Sequence, residues 1–427
     1  MDKLNTLEDK IVLAENIIES ADFDKTGLNG NVLVIGGTGA GKTVSYTEPQ
    51  ILYSNNRSLV VSVAKRSLIP YYANYVRSKG YRFEVIDIEK PEKSTIGYDP
   101  MVYLKTDTDI LDFSKAIIET GSAGEEGRDK YWDNSASQVV SALISMAKEI
   151  FSVYKEDHAD GTLSFSDVIR TNNILEFKEH PGTGTSCSSL DSDFEALKEY
   201  NSESFAVKCF QCVKGLALKT ASCINSTVKT AMVNAFPPST VKLMEMENIL
   251  DFSSLGKEKT ILFVVTSSAN ESTVKFANLL YAQLFRVLQD VAEDNGGTLD
   301  IPVHVICDDF SVSAKIKGFE HYISVFREAG ISVSLLIQSI TQLTEMYGSS
   351  AASTIINNCD RILYLGGMDI STCQNMALRL DLPLSDVLYA PLKTAFVIQR
   401  GSKPLKSKRY PTYDDPEYKK AALLPCE

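Results

Sequence analysis

The sequence predicts an α/β fold built on a mostly parallel sheet, and two observations support this. The first strong strand pattern of the chain, at 31–35, ends in a glycine-rich loop that leads directly into a helix. Similar short apolar runs recur along the chain, with helical stretches between several of them. They lie at 31–35, 58–63, 82–87, 260–266, 302–307, 331–337, 361–365 and 394–398. Strands that alternate with helices form parallel sheets with both faces covered, and such buried strands are apolar throughout.

The composition is that of a soluble globular protein. The chain has 427 residues, of which 44% are hydrophobic and 23% are charged, enough for a large α/β domain with an insertion. A net charge of −12 excludes a surface that is basic everywhere, so any contact with nucleic acid requires a local basic channel or loop. The eight cysteines are dispersed, which favours a reducing cytoplasm. No apolar run approaches the length of a membrane span.

The glycine-rich loop matches the phosphate-binding pattern G-x-x-x-x-G-K-T. Its residues are Gly36, Gly37, Thr38, Gly39, Ala40, Gly41, Lys42 and Thr43. In such a P-loop, glycines let backbone N–H groups face phosphate oxygens, and the helix N-terminus adds a partial positive charge. Lys42 is expected to reach the β- and γ-phosphates, and the Thr43 hydroxyl to ligate Mg²⁺. The sequence therefore predicts a site for ATP and Mg²⁺.

Two acids follow the apolar strand predicted at 302–307. A P-loop site needs a carboxylate for the metal and a group that orients the attacking water. Asp308 is the candidate for the metal side, and Asp309 is the candidate for polarising water. Paired acids at a strand end also commonly cap the following segment. Asp309 is one methylene shorter than the glutamate that is more usual at this position.

Two further polar residues flank the strand predicted at 331–337. Gln338 follows it, at the carboxyl edge of the sheet where ligands bind, so its amide is a candidate for sensing the γ-phosphate or holding water. A loop-capping role is the alternative. Arg327 ends the preceding helix. It is a candidate finger for a neighbouring subunit, or simply a partner of the helix dipole.

The alternation of strands and helices lapses in the middle of the chain. Residues 106–247 are mostly helical in pattern, with apolar spacing of about 3.6 at 134–151 and 205–234. We expect an all-α insertion domain at 106–247, inside a nucleotide-binding domain formed by 1–105 and 248–427. The segment after Gly401 is charged and is predicted to be a solvated strap.

Several motifs recur in an order and spacing that one family shares. The P-loop is followed by Pro49-Gln50-Ile51-Leu52, and Tyr98-Asp99-Pro100 and Tyr131-Trp132 come later. The most specific block consists of 308–310, 327–331, 338–343, 347–348 and 357–359. Together these segments resemble the type IV secretion coupling proteins, the conjugative ATPases of the TraG/TraD kind, over most of the chain.

The resemblance implies a RecA-like P-loop domain and a ring, expected to be a homo-hexamer. ATP hydrolysis at subunit interfaces would move DNA or a DNA–protein complex toward a type IV secretion channel. Arg327 would be the arginine finger and Gln338 the γ-phosphate sensor. The implied partners are DNA without sequence preference, a relaxase-type protein and channel components.

The family's usual membrane-spanning segment has no counterpart ahead of Gly36. We therefore expect a cytoplasmic protein, or one held at the cytoplasmic face of the membrane by a partner.

Two other functions fit the same residues. One is a P-loop ATPase that acts as a regulated assembly switch. The other is a weakly active nucleotide-binding module that recruits secretion substrates. ATP turnover stimulated by DNA separates the translocase from both. The candidates for DNA contact are lysines of the predicted insertion and the basic tail. They are Lys208, Lys214, Lys219, Lys229 and residues 403–409.

Overall fold

The computed structural model of the chain describes most of its length. The described residues are 8–64, 66–121, 130–157, 162–180, 182, 184–266, 270–308, 310 and 315–424, with backbone alone at 154–157. The strands are β1 (Lys10–Ala14), β2 (Ile17–Ser20), β3 (Val32–Ile35), β4 (Ser58–Val63), β5 (Arg82–Asp87), β6 (Phe177–Glu179), β7 (Ser186–Ser188), β8 (Thr260–Val265), β9 (Val303–Cys307), β10 (Ile331–Ile337), β11 (Arg361–Tyr364), β12 (Thr394–Gln399) and β13 (Leu405–Lys408).

The helices surround the sheet and fill the middle of the chain. They are α1 (Phe23–Thr26), α2 (Glu48–Leu52), α3 (Leu68–Ser78), α4 (Asp107–Gly121), α5 (Lys130–Asp157), α6 (Phe165–Ile174), α7 (Asp191–Tyr200), α8 (Phe205–Phe210), α9 (Leu218–Ala235), α10 (Pro238–Met244), α11 (Glu271–Asp294), α12 (Phe319–Ala329), α13 (Ile340–Tyr347), α14 (Ser349–Asn357), α15 (Ile370–Leu380), α16 (Leu384–Leu388) and α17 (Pro416–Leu423).

A nine-stranded sheet forms the centre of the fold. Its order is β13-β12-β11-β3-β10-β9-β4-β8-β5, and the pairs from β11 to β5 are parallel, whereas the pairs β11–β12 and β12–β13 are antiparallel. The predicted α/β fold with a mostly parallel sheet is therefore confirmed, and each of the eight apolar runs became a strand of this sheet.

Both faces of the sheet are buried, as the apolar strands require. Within β3, Leu33 and Ile35 belong to one apolar core, and Val32 and Val34 belong to a second core on the opposite face. Helices α2, α3 and the β1–β2 hairpin cover the second face. Apolar residues of α4, α5, α9 and α11 join the first core, so the middle of the chain packs continuously with the sheet.

The segment between β5 and β8 is mainly helical, but it departs from the expected pattern in two ways. It contains a short antiparallel pair, β6 and β7, which the expectation of an all-α segment did not include. The helix predicted at 205–234 is also interrupted, because α8 ends at Phe210 and α9 begins at Leu218. Gly215 lies between them with a φ of 75°, a left-handed conformation that favours glycine. The division into two domains stays a prediction.

The segment after Gly401 is not a solvated strap. Strand β13 pairs with β12, Thr412 and Asp415 are buried, and α17 packs on α3 through the stacked rings of Tyr71 and Tyr418. The polar sequence of this segment did not indicate these contacts, because its hydroxyl and aromatic groups make them with distant parts of the chain. The tail is thus part of the second face of the sheet.

Candidate active site

Sheet order brings the carboxyl ends of several strands together at one edge. Strand β3 lies between β10 and β11, and β9 and β4 follow on the β10 side. Because these strands are parallel, the loops at their carboxyl ends meet in one cleft. The P-loop follows β3, Asp308 follows β9, and Gln338 follows β10. Three predicted elements that are far apart in sequence are therefore neighbours in space.

The P-loop has a backbone that only glycine fits well. Gly41 has a φ of 81°, which is strained for residues with a side chain. At Gly36, an added Cβ would lie 2.9 Å from the Cβ of Ala40. The Gly37 N–H donates to the carbonyl of Gly366 at 3.0 Å, so the turn after β11 braces the loop. The glycines are thus explained by the shape of a phosphate cradle.

The helix after the loop is buried and begins with an unusual turn. Residues Thr43–Thr47 form a π-helical turn that continues as α2, and the Glu48 N–H donates to the Thr43 carbonyl. Pro49 in this helix has no N–H for an α-helical bond, which favours the wider turn. The first N–H groups of a helix have no partner within it and suit an anion. The helix therefore points its amino end at the cleft.

Two hydrogen bonds hold the polar groups that are expected to act on phosphate and metal. The buried Lys42 donates from Nζ to the Gly36 carbonyl at 2.9 Å. Thr43 donates from Oγ1 to Asp308 Oδ2 at 2.9 Å. A threonine hydroxyl and a carboxylate are oxygen ligands of the type that Mg²⁺ prefers. These two side chains fit a magnesium site beside the phosphates.

The cleft is large enough for a nucleotide. Its volume is about 430 Å³, and it is lined by the P-loop, Asp308, Gln338 and, from the end of β4 onward, Val63, Ala64 and Leu68. The Gln338 Oε1 lies 3.4 Å from the Thr38 Oγ1, so the amide faces the loop across the cleft. The sequence did not predict that Val63, Ala64 and Leu68 line the cleft, because apolar side chains carry no phosphate-binding motif.

Asp309, the second acid of the predicted pair, lies outside the described residues. Its role in polarising water stays a prediction.

Arg327 lies far from the P-loop of its own chain. It is in the last turn of α12, just before β10 begins at Ile331, whereas Ile337 at the other end of β10 pairs with Ile35 before the P-loop. Seven residues of extended strand span about 20 Å. The guanidinium stacks on the ring of Phe23 at 5.1 Å and contacts Glu328 at 3.3 Å, and 51% of its side chain is exposed.

The tail brings one further cation to the P-loop. The guanidinium of Arg409 donates from Nη2 to the Leu365 carbonyl at 3.0 Å, and its Nη1 would lie 3.2 Å from a Cβ built on Gly41. The sequence grouped Arg409 with the basic tail, since nothing local indicates that the chain returns to the P-loop.

The four candidate lysines for DNA contact that lie between β5 and β8 fall into two groups. Lys208 is paired with Glu203 at 2.5 Å, and Lys214 contacts Glu195. Lys219 and Lys229 on α9 have no carboxylate within ion-pair distance among the residues that the structure describes. The second pair is therefore better suited to bind phosphate.

A parallel sheet in which a P-loop follows a central strand, β3, and a carboxylate follows β9, with the single strand β10 between the two, defines a RecA-like P-loop protein. A sequence model of one family, described as type IV secretory system conjugative DNA transfer, matches residues 2–377. The chain belongs to this family, and the predicted membership of the type IV coupling proteins is confirmed.

Solved structures of this fold are similar to the chain over most of its length. The trigonal form of the bacterial conjugative coupling protein TrwBdeltaN70 with sulphate is 16% identical, has a TM-score of 0.65, and matches 89% of this chain and 85% of its own. TrwB in complex with ADP and Mg²⁺ is also 16% identical, has a TM-score of 0.63, and matches 89% of this chain and 85% of its own. VirB4 of Thermoanaerobacter pseudethanolicus is 11% identical, has a TM-score of 0.57, and matches 96% of this chain and 98% of its own. At these identities the likeness concerns the fold.

No curated protein sequence matches the chain. Among the described residues, no helix combines the length and the apolar character that crossing a bilayer requires.

Proposed function

We propose that this protein is an ATP-hydrolysing coupling protein that moves DNA, or DNA with a bound protein, to a type IV secretion channel. The observation that carries the proposal is the arrangement of Lys42, Thr43 and Asp308 at the carboxyl edge of the sheet. Membership of the conjugative DNA transfer family supports DNA and the secretion channel as partners. Relatives of this fold have been solved with ADP and Mg²⁺ and with an ATP analogue.

The polar residues of the site then each have a role in phosphate chemistry. Backbone N–H groups of residues 36–43 hold the phosphates, and Lys42 exchanges its bond to the Gly36 carbonyl for the β- and γ-phosphates. Thr43 and Asp308 would hold Mg²⁺, which neutralises charge that develops on the phosphates. Asp309 would polarise the attacking water, and Gln338 would contact the γ-phosphate or that water.

Arg327 completes the site only in an assembly. Since about 20 Å of strand separates it from the P-loop of its own chain, it has to act on the nucleotide of a neighbour. Its exposed side chain is available at a surface for such a contact. We therefore propose a ring, with six subunits by analogy with the family, in which each interface joins one P-loop to the Arg327 of the next subunit.

An acidic chain repels DNA as a whole, so contact with DNA requires a local patch of positive charge. A modest basic patch on each subunit, repeated around a pore, gives a positive channel in a protein whose net charge is negative. Lys219 and Lys229 on α9 are the proposed contacts, within a helical domain at 106–247 inserted into the nucleotide-binding domain. Such binding is independent of DNA sequence and falls steeply with salt. The ring would work at the cytoplasmic face of the membrane, beside channel proteins.

The test is ATP turnover measured with and without DNA, alongside the mass of the protein in solution with nucleotide. We expect turnover that DNA stimulates, and an assembly that forms with nucleotide. Charge reversal at Lys219 and Lys229 should remove the stimulation and leave basal turnover, whereas reversal at Lys208, already paired with Glu203, should change little. Turnover that ignores DNA would favour an assembly switch. Binding without turnover would favour a recruitment module.

A further inference from the structure

Arg409 reaches the P-loop from the opposite end of the chain. Its backbone N–H donates to the Lys393 carbonyl at 2.9 Å, and three residues later Thr412 donates to the Val44 carbonyl. The first bond fixes the tail beside the start of β12, and the second fixes it on the first turn of the P-loop helix. The Arg409 side chain is thereby held against Gly41, with Nη1 and Cδ at 3.2 and 4.0 Å from the Cβ position of that glycine.

The charge of Arg409 has no carboxylate partner among the residues that the structure describes. Among the described residues, its guanidinium donates one hydrogen bond, to the Leu365 carbonyl, and its Nε is buried without an acceptor. Arg66, which also lies near the carboxyl edge of the sheet, is by contrast held by Asp87 at 2.5 Å and Glu89 at 2.6 Å. Burial lowers the pKa of the Arg409 guanidinium, but this group stays charged in proteins. A half-buried cation of this kind is stabilised by an anion beside it.

We propose that Arg409 is a nucleotide-binding residue whose guanidinium pairs with the phosphates of a nucleoside di- or triphosphate in the P-loop. This inference rests on the proposed function and adds a residue to the site. The backbone around Gly41 in a P-loop cradles the α- and β-phosphates. Arg409 therefore contributes to binding of diphosphate and triphosphate alike, unlike a γ-phosphate sensor. The tail that carries it becomes part of the nucleotide site.

The test is binding of ADP and of a non-hydrolysable ATP analogue, each with Mg²⁺, measured by calorimetry. Arg409→Gln should weaken both ligands by about tenfold or more, the range of a charged hydrogen bond. Lys408→Gln is the matched control, since it removes an exposed cation from the adjacent position, and it should leave both affinities unchanged. Gln338→Ala should weaken the triphosphate analogue alone. Equal affinities of wild type and Arg409→Gln would overturn the inference.

A second measurement uses the unmodified protein, in case Arg409→Gln fails to fold. Phenylglyoxal labels accessible arginines, and mass spectrometry reports the extent at each one. Saturating ADP with Mg²⁺ should reduce labelling of Arg409 severalfold. Labelling of Arg400 should stay unchanged, because Arg400 pairs with Asp360 at the amino end of β11, away from the P-loop. Unchanged labelling of Arg409 in protein that has bound ADP would overturn the inference. Wild type that binds neither nucleotide, and so behaves like Lys42→Ala, would instead overturn the proposed function.

Discussion

The carboxyl and amino edges of the central sheet differ in how completely one chain builds them. At the carboxyl edge, Thr43 and Asp308 are 2.9 Å apart and Lys42 is buried against its own loop. At the amino edge, the side chain of Arg327 is half exposed, and its guanidinium stacks on the Phe23 ring and pairs with the neighbouring Glu328. The first arrangement is assembled by sheet topology, whereas the second presents a cation outward.

This difference indicates which steps of the proposed reaction require a neighbouring subunit. Phosphate binding needs groups that parallel strands already bring to one edge, so a single chain is expected to bind nucleotide. In the proposed mechanism, hydrolysis also needs the Arg327 cation, which the same chain holds at its opposite edge, about 20 Å of strand away. Binding and turnover should therefore respond differently to dilution and to mutation.

The largest expected effect is at the edge that one chain completes. Lys42→Ala removes the charge that neutralises the β- and γ-phosphates, and it should reduce ATP turnover to background and weaken nucleotide binding strongly. Asp308→Ala should lose turnover that depends on Mg²⁺. Steady-state phosphate release measures both, with Lys25→Ala as a control at an exposed ion pair with Glu8. A wild-type rate of ATP turnover in either variant would contradict the role that we propose for that residue in the nucleotide site.

The second effect concerns Arg327, the exposed cation at the amino edge. Arg327→Ala should bind nucleotide normally but turn over about 10³-fold or more slowly, the lower end of what an arginine finger contributes. Arg379→Ala, on an exposed turn of α15, should behave like wild type.

Mixing two inactive variants tests whether Arg327 acts across an interface. An assembly of Arg327→Ala and Lys42→Ala subunits contains some interfaces with an intact P-loop and an intact finger, so part of the activity should return. No recovery, in mixtures whose subunits are shown by mass spectrometry to exchange, would mean that Arg327 does not act in trans.

The sequence predicted the carboxyl edge better than the rest of the molecule. Apolar runs located β3, β9 and β10, because a strand buried on both faces has to be apolar. The P-loop, Asp308 and Gln338 then followed from their places at strand ends. Such signals are local, and the parallel topology converts them into proximity.

The remaining features depend on contacts that no local pattern encodes. Arg409 appears in a run of tail lysines, yet β13 pairing and the bond from Thr412 to Val44 carry it to the P-loop. The β1–β2 hairpin was also missed, although it covers the helix after the P-loop through the bond from Gln50 to the Val12 carbonyl at 2.8 Å. A polar residue can be recognised as part of a core only when its distant partner is known.

A chain of polar groups lies in the sheet between the two edges. His304 on β9 contacts Ser332 at 2.7 Å through Nδ1 and Ser334 at 2.8 Å through Nε2, and Ser334 contacts the Tyr46 hydroxyl at 2.6 Å. Burial, with the positive charge of Arg57 as a smaller cause, lowers the pKa of His304 well below its ordinary value. The neutral imidazole is therefore the form that the folded protein stabilises.

The smallest expected effect is on stability and follows from this depressed pKa. The unfolded chain takes up a proton at His304 near pH 6.5, whereas the folded chain does not, so stability present above that pH is lost as the pH falls below it. Between pH 7.5 and 5.5 the free energy of unfolding should fall by about 1.4 kcal/mol from this residue alone. Urea unfolding of wild type and His304→Gln at both pH values isolates the contribution. His321→Gln, at a histidine whose side chain is 87% exposed, should keep the wild-type dependence. An equal loss in wild type and His304→Gln would show that the buried imidazole does not set it, and that acid sensitivity comes from the charged edges instead.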